Sequence, residues 1–445
     1  MNTFDVFDTL IARRTITSDS IFRRMENEFS LPNFFNTRKS VDTGGRSIFQ
    51  IYQALANLNV IDVKDVYKYV DIEIQYEIEN SFPITKNMNK VNHGDVLISD
   101  MYLTNWAILR MVKACGLDKE VTVYQSNGDK RNGTIWDTIK DRHDGVHLGD
   151  NVFSDIDQAN IRNIKTEYCE EHKMLRIEDR LVSIGLKSLA LLCRETRLRS
   201  QGNYHNILAA NVNLPMLFIM SELIHRSANK KMIFLGRDCQ LLEKVYSAYY
   251  EKSVYLPFSR KVAYAQKDIA VKYLNQYNLD NHMFFDISST GATWEHLQSN
   301  IPITVAIYSD TYHYTQSKPV LPKDFSYLFT NSTIGTTNII LEMFNCGNHG
   351  HLSQIELIGN KFFKCHFDSH ELHNDVIEFV QSPIIIASSL SPHYKDEIRK
   401  EISEVSEEAL RQLFAYLVNF LCQQTHILDP NFVNKESQYL NKVAN

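Results

Sequence analysis

The sequence has no Cys-x-x-Cys pair, no block of lysine and arginine, and no apolar run long enough to cross a membrane. Its seven cysteines are scattered over 445 residues, and an odd number of isolated thiols in so large a chain is typical of reduced cysteines in the cytosol. A net charge of −6 leaves no basic face to neutralise nucleic-acid phosphates. The longest apolar run, at 214–220, is far shorter than the roughly 20 residues of a bilayer span. We therefore expect a cytoplasmic protein with no nucleic-acid partner and no transmembrane segment.

The composition is that of an ordinary globular protein, but the chain is too long for one core. The hydrophobic fraction is 44% and the aromatic fraction is 11%, and 445 residues predict two or three domains. Short apolar runs alternate with segments of helical periodicity, first between residues 1 and 175 and again between 231 and 345. This alternation predicts the α/β class, with two doubly wound parallel sheets whose functional residues gather where the strands end.

Segments that are helical throughout set the domain boundaries. Ile48, Ile51, Tyr52 and Leu55 recur at helical spacing between the first two predicted strands, which indicates a helical insert. The predicted organisation has four parts: a first α/β domain at 1–175 with the helical insert at about 15–93, a helical connector at 176–230, a second α/β domain at 231–345, and a mostly helical extension at 346–445.

Polar signatures in the first domain each follow a predicted strand. In chain order they are Asp5 with Asp8 and Thr9, then Ser99, then Lys130, and last the acidic pair Asp150 and Asp155. Phosphoryl transfer through a carboxylate needs a nucleophile, positive charge on the transferred group, and a metal that screens the approach of two anions. The order of an aspartate, a hydroxyl, a lysine and an acidic pair resembles the haloacid dehalogenase superfamily of aspartyl-phosphate hydrolases.

This resemblance implies a role for each residue. It makes Asp5 the nucleophile, Ser99 a hydrogen-bond donor to the phosphoryl oxygens, and Lys130 their counter-charge. Thr9 would be among the substrate-binding residues. The metal ligands would be Asp5, Asp150 and Asp155, and the ion would be Mg²⁺, which prefers oxygen ligands. The helical insert would be a cap that covers the site and excludes water.

One position departs from the resemblance. In phosphatases of this superfamily, a second aspartate two residues after the nucleophile serves as general acid and base. This chain has Phe7 at that position, and the acid Asp8 follows one residue later. Three explanations stay open: Asp8 acts in its place, a cap residue or water protonates the leaving group, or the domain is a weak catalyst.

The second domain contains a short turn with the chemistry of a phosphate-binding loop. An apolar strand ends at Asp286, and Gly291 permits a tight backbone before a helical sequence that starts at Trp294. The predicted ligand-binding residues of this turn are Ser288, Ser289, Thr290, Gly291, Ala292 and Thr293. The turn resembles the phosphoribosyl pyrophosphate loop of type I phosphoribosyltransferases, in which the acid contacts the ribose hydroxyls and the turn holds the 5-phosphate. That family usually has two adjacent acids, and here the first is replaced by Phe285.

Two further pairs of polar residues follow earlier strands of this domain. Arg237 and Asp238 come where the resemblance places the pyrophosphate loop, and Ser259 and Arg260 come where basic residues approach the pyrophosphate. The alternative is an ordinary glycine turn between a strand and a helix. Asp238 and Asp286 are both candidates for the base that activates an acceptor hydroxyl, and Glu342 is either an acceptor contact or, more simply, a solvated helix residue.

Together the two domains resemble bacterial ribofuranose-adding proteins of capsule and lipopolysaccharide synthesis. This resemblance implies transfer of ribose 5-phosphate from phosphoribosyl pyrophosphate to a glycan acceptor, free or lipid-linked, followed by removal of the 5-phosphate. A lipid-linked acceptor would imply visits to the inner face of the membrane. The first alternative is a single-activity phosphatase on a small phosphorylated metabolite, with the C-terminal half as its specificity domain. The second is a degenerate hydrolase that serves as a binding module.

Four histidines and one cysteine are further candidates for functional residues. His143, His147, His349 and His351 lack the spacing of a metal cluster, so we expect them in loops or cores. Cys239 follows Asp238, and a small residue in a turn is a simpler interpretation of it than a nucleophile.

Overall fold

The structure is a computed structural model of the chain. It describes residues 1–142, 144–298, 301–309, 320, 321, 323, 325–331, 337–359, 362–369 and 374–428, so His143 lies outside the described residues. The chain divides into two compact units. The first unit contains Met1–Leu175 and Leu198–Gly202, and the second contains Arg176–Arg197 and the chain from Asn203 onward.

The first unit is built on a five-stranded parallel sheet with its first strand in the centre. The strands of the whole unit are β1 (Thr3–Asp5), β2 (Ile11–Arg13), β3 (Ser81–Pro83), β4 (Val96–Ser99), β5 (Thr122–Gln125), β6 (Val146–Gly149) and β7 (Lys165–Tyr168). The sheet has the order β5-β4-β1-β6-β7, and β2 and β3 form a separate antiparallel pair. Asp5 is paired with Ile98 and Phe4 with Leu148, so the residues that follow β1, β4 and β6 lie at one edge of the sheet.

Helices cover this sheet and form the insert. They are α1 (Asp19–Glu28), α2 (Phe34–Val41), α3 (Ile48–Asn57), α4 (Val66–Asn80), α5 (Thr85–Met88), α6 (Asn105–Ala114), α7 (Asp129–Asn132), α8 (Thr134–Ile139) and α9 (Gln158–Asn160). The four helices α1–α4 lie between β2 and β3 in the chain, so the antiparallel pair forms the base of the insert. Ser47 begins α3 with a capping box, and the side chain of Thr104 caps α6.

The second unit contains another five-stranded parallel sheet, with a different strand order. Its strands are β8 (Lys231–Leu235), β9 (Val254–Leu256), β10 (His282–Ser289), β11 (Ile303–Ser309) and β12 (Phe325–Asn331), and a hairpin follows with β13 (Leu352–Ile358) and β14 (Phe362–Phe367). The sheet order is β12-β11-β10-β8-β9. The chain leaves β8 toward β9 on one side and returns to β10 on the other, so the C-terminal ends of β8 and β10 border a topological switch point, where ligands bind in open α/β sheets.

The helices of the second unit include those of the predicted connector and extension. They are α10 (Arg176–Ser183), α11 (Lys187–Leu198), α12 (Tyr204–Leu208), α13 (Leu214–Ser227), α14 (Gln240–Tyr249), α15 (Arg260–Ala265), α16 (Lys267–Leu274), α17 (Ala292–Leu297), α18 (Thr337–Asn345), α19 (Asn374–Ser389), α20 (Pro392–Glu404) and α21 (Glu407–Cys422). The continuous helical stretch Tyr204–Ser227 is long and apolar enough to cross a membrane, but its most apolar 18-residue segment is 94% buried inside the structure. Such burial is typical of the core helix of a soluble protein.

The predicted α/β class and the two parallel sheets are confirmed. Two local features differ from the sequence-based prediction. The strand predicted to end at Asp286 continues as β10 to Ser289, so Ser288 and Ser289 are strand residues and not loop residues. The mostly helical extension begins with the β13–β14 hairpin.

Candidate active sites

In the first unit, a buried lysine lies between two buried carboxylates at the end of β1. Lys130 is in α7, and its Nζ lies 2.5 Å from Oδ1 of Asp5 and 2.5 Å from Oδ1 of Asp155. Only 3% of the Lys130 side chain is exposed, and Asp155 is fully buried. Charges this far from water remain only when they are paired, so the three groups form one electrostatic unit.

Asp155 is fixed by the strand beside it. It lies in a short π-helical turn after β6, and its Oδ2 accepts the Asn151 N–H at 3.0 Å. Gly149 ends β6, and a β-carbon there would lie 2.5 Å from Cγ of Asp155. The absence of a side chain at Gly149 therefore lets Asp155 approach the sheet.

These contacts shift the pKa values of the two carboxyl groups in opposite directions. Burial raises the pKa of Asp5 well above its ordinary value, and the charge of Lys130 opposes this only in part. Burial would also raise the pKa of Asp155, but the charge of Lys130 and a hydrogen bond from His147 bring the pKa of Asp155 below its usual range. Burial lowers the pKa of Lys130, but the two carboxylates raise it, and the net shift of this pKa is upward. The lysine is therefore an ammonium ion that stabilises negative charge at this edge.

A metal ion fits beside this unit. Carboxylate oxygens of Asp5, Asp150 and Asp155 all lie within 4.8 Å of one another. Octahedral Mg²⁺ holds its ligands at about 2.1 Å, which places them about 3 to 4 Å apart, so small side-chain movements would complete the site. Both oxygens of Asp155 already have protein partners, and Asp5 and Asp150 are the better ligands. Burial and the charge of Asp155 raise the pKa of Asp150, as expected for a partly buried carboxyl group beside another carboxylate.

Sequence reasoning missed two residues at this edge, Asp100 and His172. Oδ1 of Asp100 accepts the N–H groups of Gly128 at 3.1 Å and Lys130 at 3.3 Å, and it also accepts the hydroxyl of Ser126. Asp100 therefore anchors the loop that carries Lys130. Its position next to Ser99 is the signal that could have found it.

His172 and Ser99 follow or end strands on opposite sides of the central strand β1. His172 follows β7, and its Nε2 is 3.9 Å from Oδ2 of Asp150, at the limit of an ion pair. Ser99 ends β4 and is buried, and its hydroxyl oxygen accepts the N–H of Met101 at 3.4 Å. The Ser99 side chain can still donate the hydrogen bond predicted for it.

Asp8 and Thr9 occupy the loop between β1 and β2. Asp8 has a left-handed backbone (φ 59°) and is half-buried, and its charge adds to the upward shift of the pKa of Asp150 after the larger effects of burial and Asp155. Asp8 therefore lies in the same group of acids. Phe7 packs under the guanidinium of Arg13, 4.5 Å from the ring centre, and offers no proton. The Thr9 hydroxyl is buried without a hydrogen-bond partner among the described residues.

In the second unit, a cavity lies at the C-terminal ends of β8, β9 and β10. Eight of the predicted ligand-binding residues line it: Arg237, Asp238, Ser259, Arg260, Asp286, Ser288, Ser289 and Thr293. The lining does not include Thr290, Gly291 or Ala292. Gly291 has φ 86°, and a β-carbon there would lie 2.3 Å from Cδ2 of Leu321. Gly291 is therefore required by its backbone and by close packing.

The charged groups of this cavity are mixed in sign. Arg237 is largely buried, and its guanidinium is 3.8 Å from the carboxylate of Glu342 in α18. Glu342 and His351 both line the cavity, so Glu342 is a cavity residue with a cationic neighbour and not merely a solvated helix residue. Burial raises the pKa of Asp286 well above its ordinary value, and the charge of Asp238 raises it further.

Ser259, which lines the cavity, and Cys239, which follows the lining residue Asp238, both form hydrogen bonds within the protein. The Ser259 hydroxyl donates to the Leu352 carbonyl at 2.6 Å and accepts the Val262 N–H at 3.2 Å, so it caps α15. The Cys239 thiol is buried and donates to the Phe285 carbonyl at 3.6 Å, and burial raises its pKa well above the ordinary value. A thiol in this state is a poor nucleophile.

These sites are interpreted from their own geometry, because comparison with known proteins identifies no relative. The chain matches no protein-family model and no curated protein.

Proposed function

We propose that the first unit is a Mg²⁺-dependent phosphohydrolase that acts through an aspartyl-phosphate intermediate. The observation that carries this proposal is the placement of Lys130 Nζ 2.5 Å from both Asp5 and Asp155, with Asp150 close by. A nucleophilic carboxylate, a fixed positive charge and a second acid that can hold a cation are the groups that this chemistry needs.

In the proposed reaction, Asp5 attacks phosphorus and the ester P–O bond breaks. The leaving oxygen takes up a proton, and water then cleaves the acyl phosphate, which releases inorganic phosphate and restores Asp5. Lys130 stabilises the phosphoryl oxygens in both steps, and Ser99 donates a hydrogen bond to them. Asp8 is the carboxyl group of the β1–β2 loop that can deliver the proton, because Phe7 cannot. Asp5 and Asp150 would hold Mg²⁺, which supplies charge screening when two anions approach.

We further propose that the second unit transfers ribose 5-phosphate from phosphoribosyl pyrophosphate to a glycan hydroxyl. Arg237 and Arg260 supply positive charge for the pyrophosphate, and Asp286 lies beside them at the switch point between β8 and β10. The two reactions are chemically consecutive. The transfer joins the acceptor oxygen to C1 of ribose and releases pyrophosphate, so the attached ribose still carries its 5-phosphate. The phosphohydrolase then removes that phosphate, and the pair of reactions leaves plain ribofuranose on the acceptor.

A single-activity phosphatase is the second candidate. The cavity of the second unit is lined by three carboxylates, Asp238, Asp286 and Glu342, and by two arginines. An excess of carboxylates favours hydroxyl groups over pyrophosphate unless a divalent cation accompanies the pyrophosphate. In this alternative, Asp286→Ala changes the KM for phosphomonoesters and phosphoribosyl pyrophosphate does not bind.

The Asp5→Asn variant tests the first proposal. We expect magnesium-dependent hydrolysis of phosphomonoesters by the natural chain, loss of that turnover in Asp5→Asn, and loss on chelation with EDTA. Asp118→Asn is the matched control, because Asp118 is an exposed acid that forms an ion pair with its neighbour Lys119. Turnover that survives in Asp5→Asn would contradict the aspartyl-phosphate route.

A further inference from the structure

His147 is a fully buried histidine in β6 that contacts a polar group on each side. It is paired with Thr3 across the parallel β1–β6 register, and its Nδ1 lies 2.9 Å from the Thr3 hydroxyl. Its Nε2 lies 3.5 Å from Oδ1 of Asp155, the same oxygen that contacts Lys130. A continuous series of buried side chains thus runs from Thr3 through His147, Asp155 and Lys130 to Asp5.

The neighbours of His147 determine which nitrogen carries hydrogen. Asp155 lies 2.5 Å from an ammonium group and is an ionised acceptor, so the imidazole nitrogen facing it must carry a hydrogen. A neutral imidazole then presents Nδ1 as an acceptor, and the Thr3 hydroxyl donates to it. The 3.5 Å contact with Asp155 is long and mainly electrostatic, whereas the 2.9 Å contact with Thr3 has ordinary hydrogen-bond length.

Trp136 restricts the motion of the same imidazole. The two rings pack edge to face with centres 4.6 Å apart. The Trp136 indole N–H donates to the Ser154 carbonyl at 3.0 Å, in the turn that contains Asp155. The histidine ring and the turn are therefore held against the same side chain, which leaves little room for either to reorient.

We propose that Thr3 and His147 are positioning residues that hold Asp155 where it keeps the Lys130 ammonium against Asp5. This role rests on the proposed phosphohydrolase activity. In this role Asp155 acts on Lys130, because its Oδ1 contacts Lys130 and His147 while its Oδ2 accepts the Asn151 N–H. A displacement of about 1 Å at such a group can cost on the order of 100-fold in rate.

Kinetics of Thr3 variants test the role in catalysis. Thr3→Val removes the donor to Nδ1 and keeps the shape, and we expect kcat for a phosphomonoester to fall about 10- to 100-fold, as is typical when an outer hydrogen bond to a site is lost. KM and the Mg²⁺ concentration for half-maximal activity should stay within about twofold, because Asp5 and Asp150 are unchanged. Thr3→Ser should restore most of kcat.

The control for these variants is Thr122→Val, at an exposed position of β5 in the same sheet. It should keep the kcat of the natural chain. An unchanged kcat in Thr3→Val, or a Thr3→Ser variant no better than Thr3→Val, would overturn the role.

A measurement on the natural chain separates this inference from the activity itself. With ¹⁵N-labelled histidine, the His147 signal, assigned by its loss in His147→Gln, should show a neutral ring with hydrogen on Nε2 and a hydrogen-bonded Nδ1. Hydrogen on Nδ1 would overturn the inference even if phosphomonoesters are hydrolysed. The predicted signal in a chain that hydrolyses no phosphomonoester would support the contact and reject the proposed function.

Discussion

At the residue scale, the site in the first unit depends on one buried lysine that compensates two buried carboxylates. Lys130 lies between Asp5 and Asp155, and its Nζ is 2.5 Å from an oxygen of each. In a medium of low dielectric, the loss of one partner leaves the others without compensation. The same arrangement that stabilises a transferred phosphoryl group therefore also stabilises the end of β1.

Replacing the lysine should affect both stability and activity. Lys130→Met should lower the free energy of unfolding by about 3–5 kcal/mol, because Asp5 and Asp155 would stay buried without a cation. Phosphomonoester turnover should also be lost. Urea unfolding and a turnover assay on the same preparation would measure both effects.

The control for this variant is Lys90→Met. Lys90 forms a partly exposed pair with Glu167 at 2.7 Å, and its loss should cost less than about 1 kcal/mol. A Lys130→Met variant as stable and active as Lys90→Met would contradict the account of the site.

At the element scale, the helical insert contains a charged pair inside its apolar packing. Arg38 in α2 and Glu73 in α4 are both fully buried and form two hydrogen bonds, at 2.9 and 3.0 Å. The Tyr52 hydroxyl in α3 donates to the same carboxylate at 2.6 Å. Three of the four insert helices are thus joined by one network as well as by their apolar faces.

A double-mutant cycle should show that the pair matters only as a pair. Arg38→Met should destabilise the protein by about 3–5 kcal/mol, since Glu73 would be buried without its cation. Arg38→Met combined with Glu73→Leu should be more stable than Arg38→Met alone. The matched control is Arg24→Met, which removes an arginine that is half exposed and should cost less than about 1 kcal/mol. Equal losses in the single and double variants, measured by urea unfolding, would contradict this prediction.

A second inter-element contact should make stability depend on pH. Lys86 in α5 donates to Glu171 after β7 at 2.7 Å. Burial alone would raise the pKa of Glu171, but hydrogen bonds from Lys86 and Cys169 lower it to about 2. A carboxyl group with a depressed pKa stabilises the fold above its unfolded pKa of about 4.3, and this contribution is lost as the pH falls toward the folded value.

Glu171→Gln should therefore lower the free energy of unfolding at pH 7 by less than about 1 kcal/mol, because the side chain is 26% exposed and screened by water. The difference from the natural chain should shrink as the pH is lowered from 5 to 3. In a Lys86→Met background the substitution should have a smaller effect at every pH. A difference that grows in acid would contradict the assignment.

The elements that the sequence predicts best are those whose patterns are local. The strands β1 and β4 end on Asp5 and Ser99, and Asp150 directly follows β6. Parallel pairing then brings these three residues to one edge. The close approach of Asp155 to Gly149 depends on the fold around β6, so the sequence contains no local sign of it.

Other features lie beyond local patterns for different reasons. Ser288 and Ser289 have the composition of a turn, yet pairing with Ile307 and Tyr308 keeps them in β10. Arg38 and Glu73 are 35 residues apart and have the composition of solvated helix faces, although they meet in the interior. Burial of charge is a property of tertiary packing, and residue type alone predicts the opposite.

At the scale of the whole molecule, each compact unit has its own candidate site. The cluster of Asp5, Lys130 and Asp150 belongs to the first unit, and the cavity with Arg237 and Asp286 belongs to the second. If the two units perform consecutive reactions, a variant in one site should stop the pathway at a defined chemical species.

Two variants should therefore give opposite outcomes. Asp5→Asn should transfer ribose 5-phosphate and accumulate a product that still carries the 5-phosphate. Arg237→Gln should weaken donor binding and transfer while phosphomonoester hydrolysis continues at the rate of the natural chain. Mass spectrometry of the acceptor products distinguishes the two species. An Asp5→Asn variant that yields only dephosphorylated product would contradict the proposed division of labour.

The most direct measurement is phosphorus NMR of the natural chain with Mg²⁺, phosphoribosyl pyrophosphate and a panel of sugar acceptors. We expect release of pyrophosphate that depends on the acceptor, followed by release of inorganic phosphate from the ribosylated product. An unchanged donor with no inorganic phosphate from any phosphomonoester would contradict this expectation.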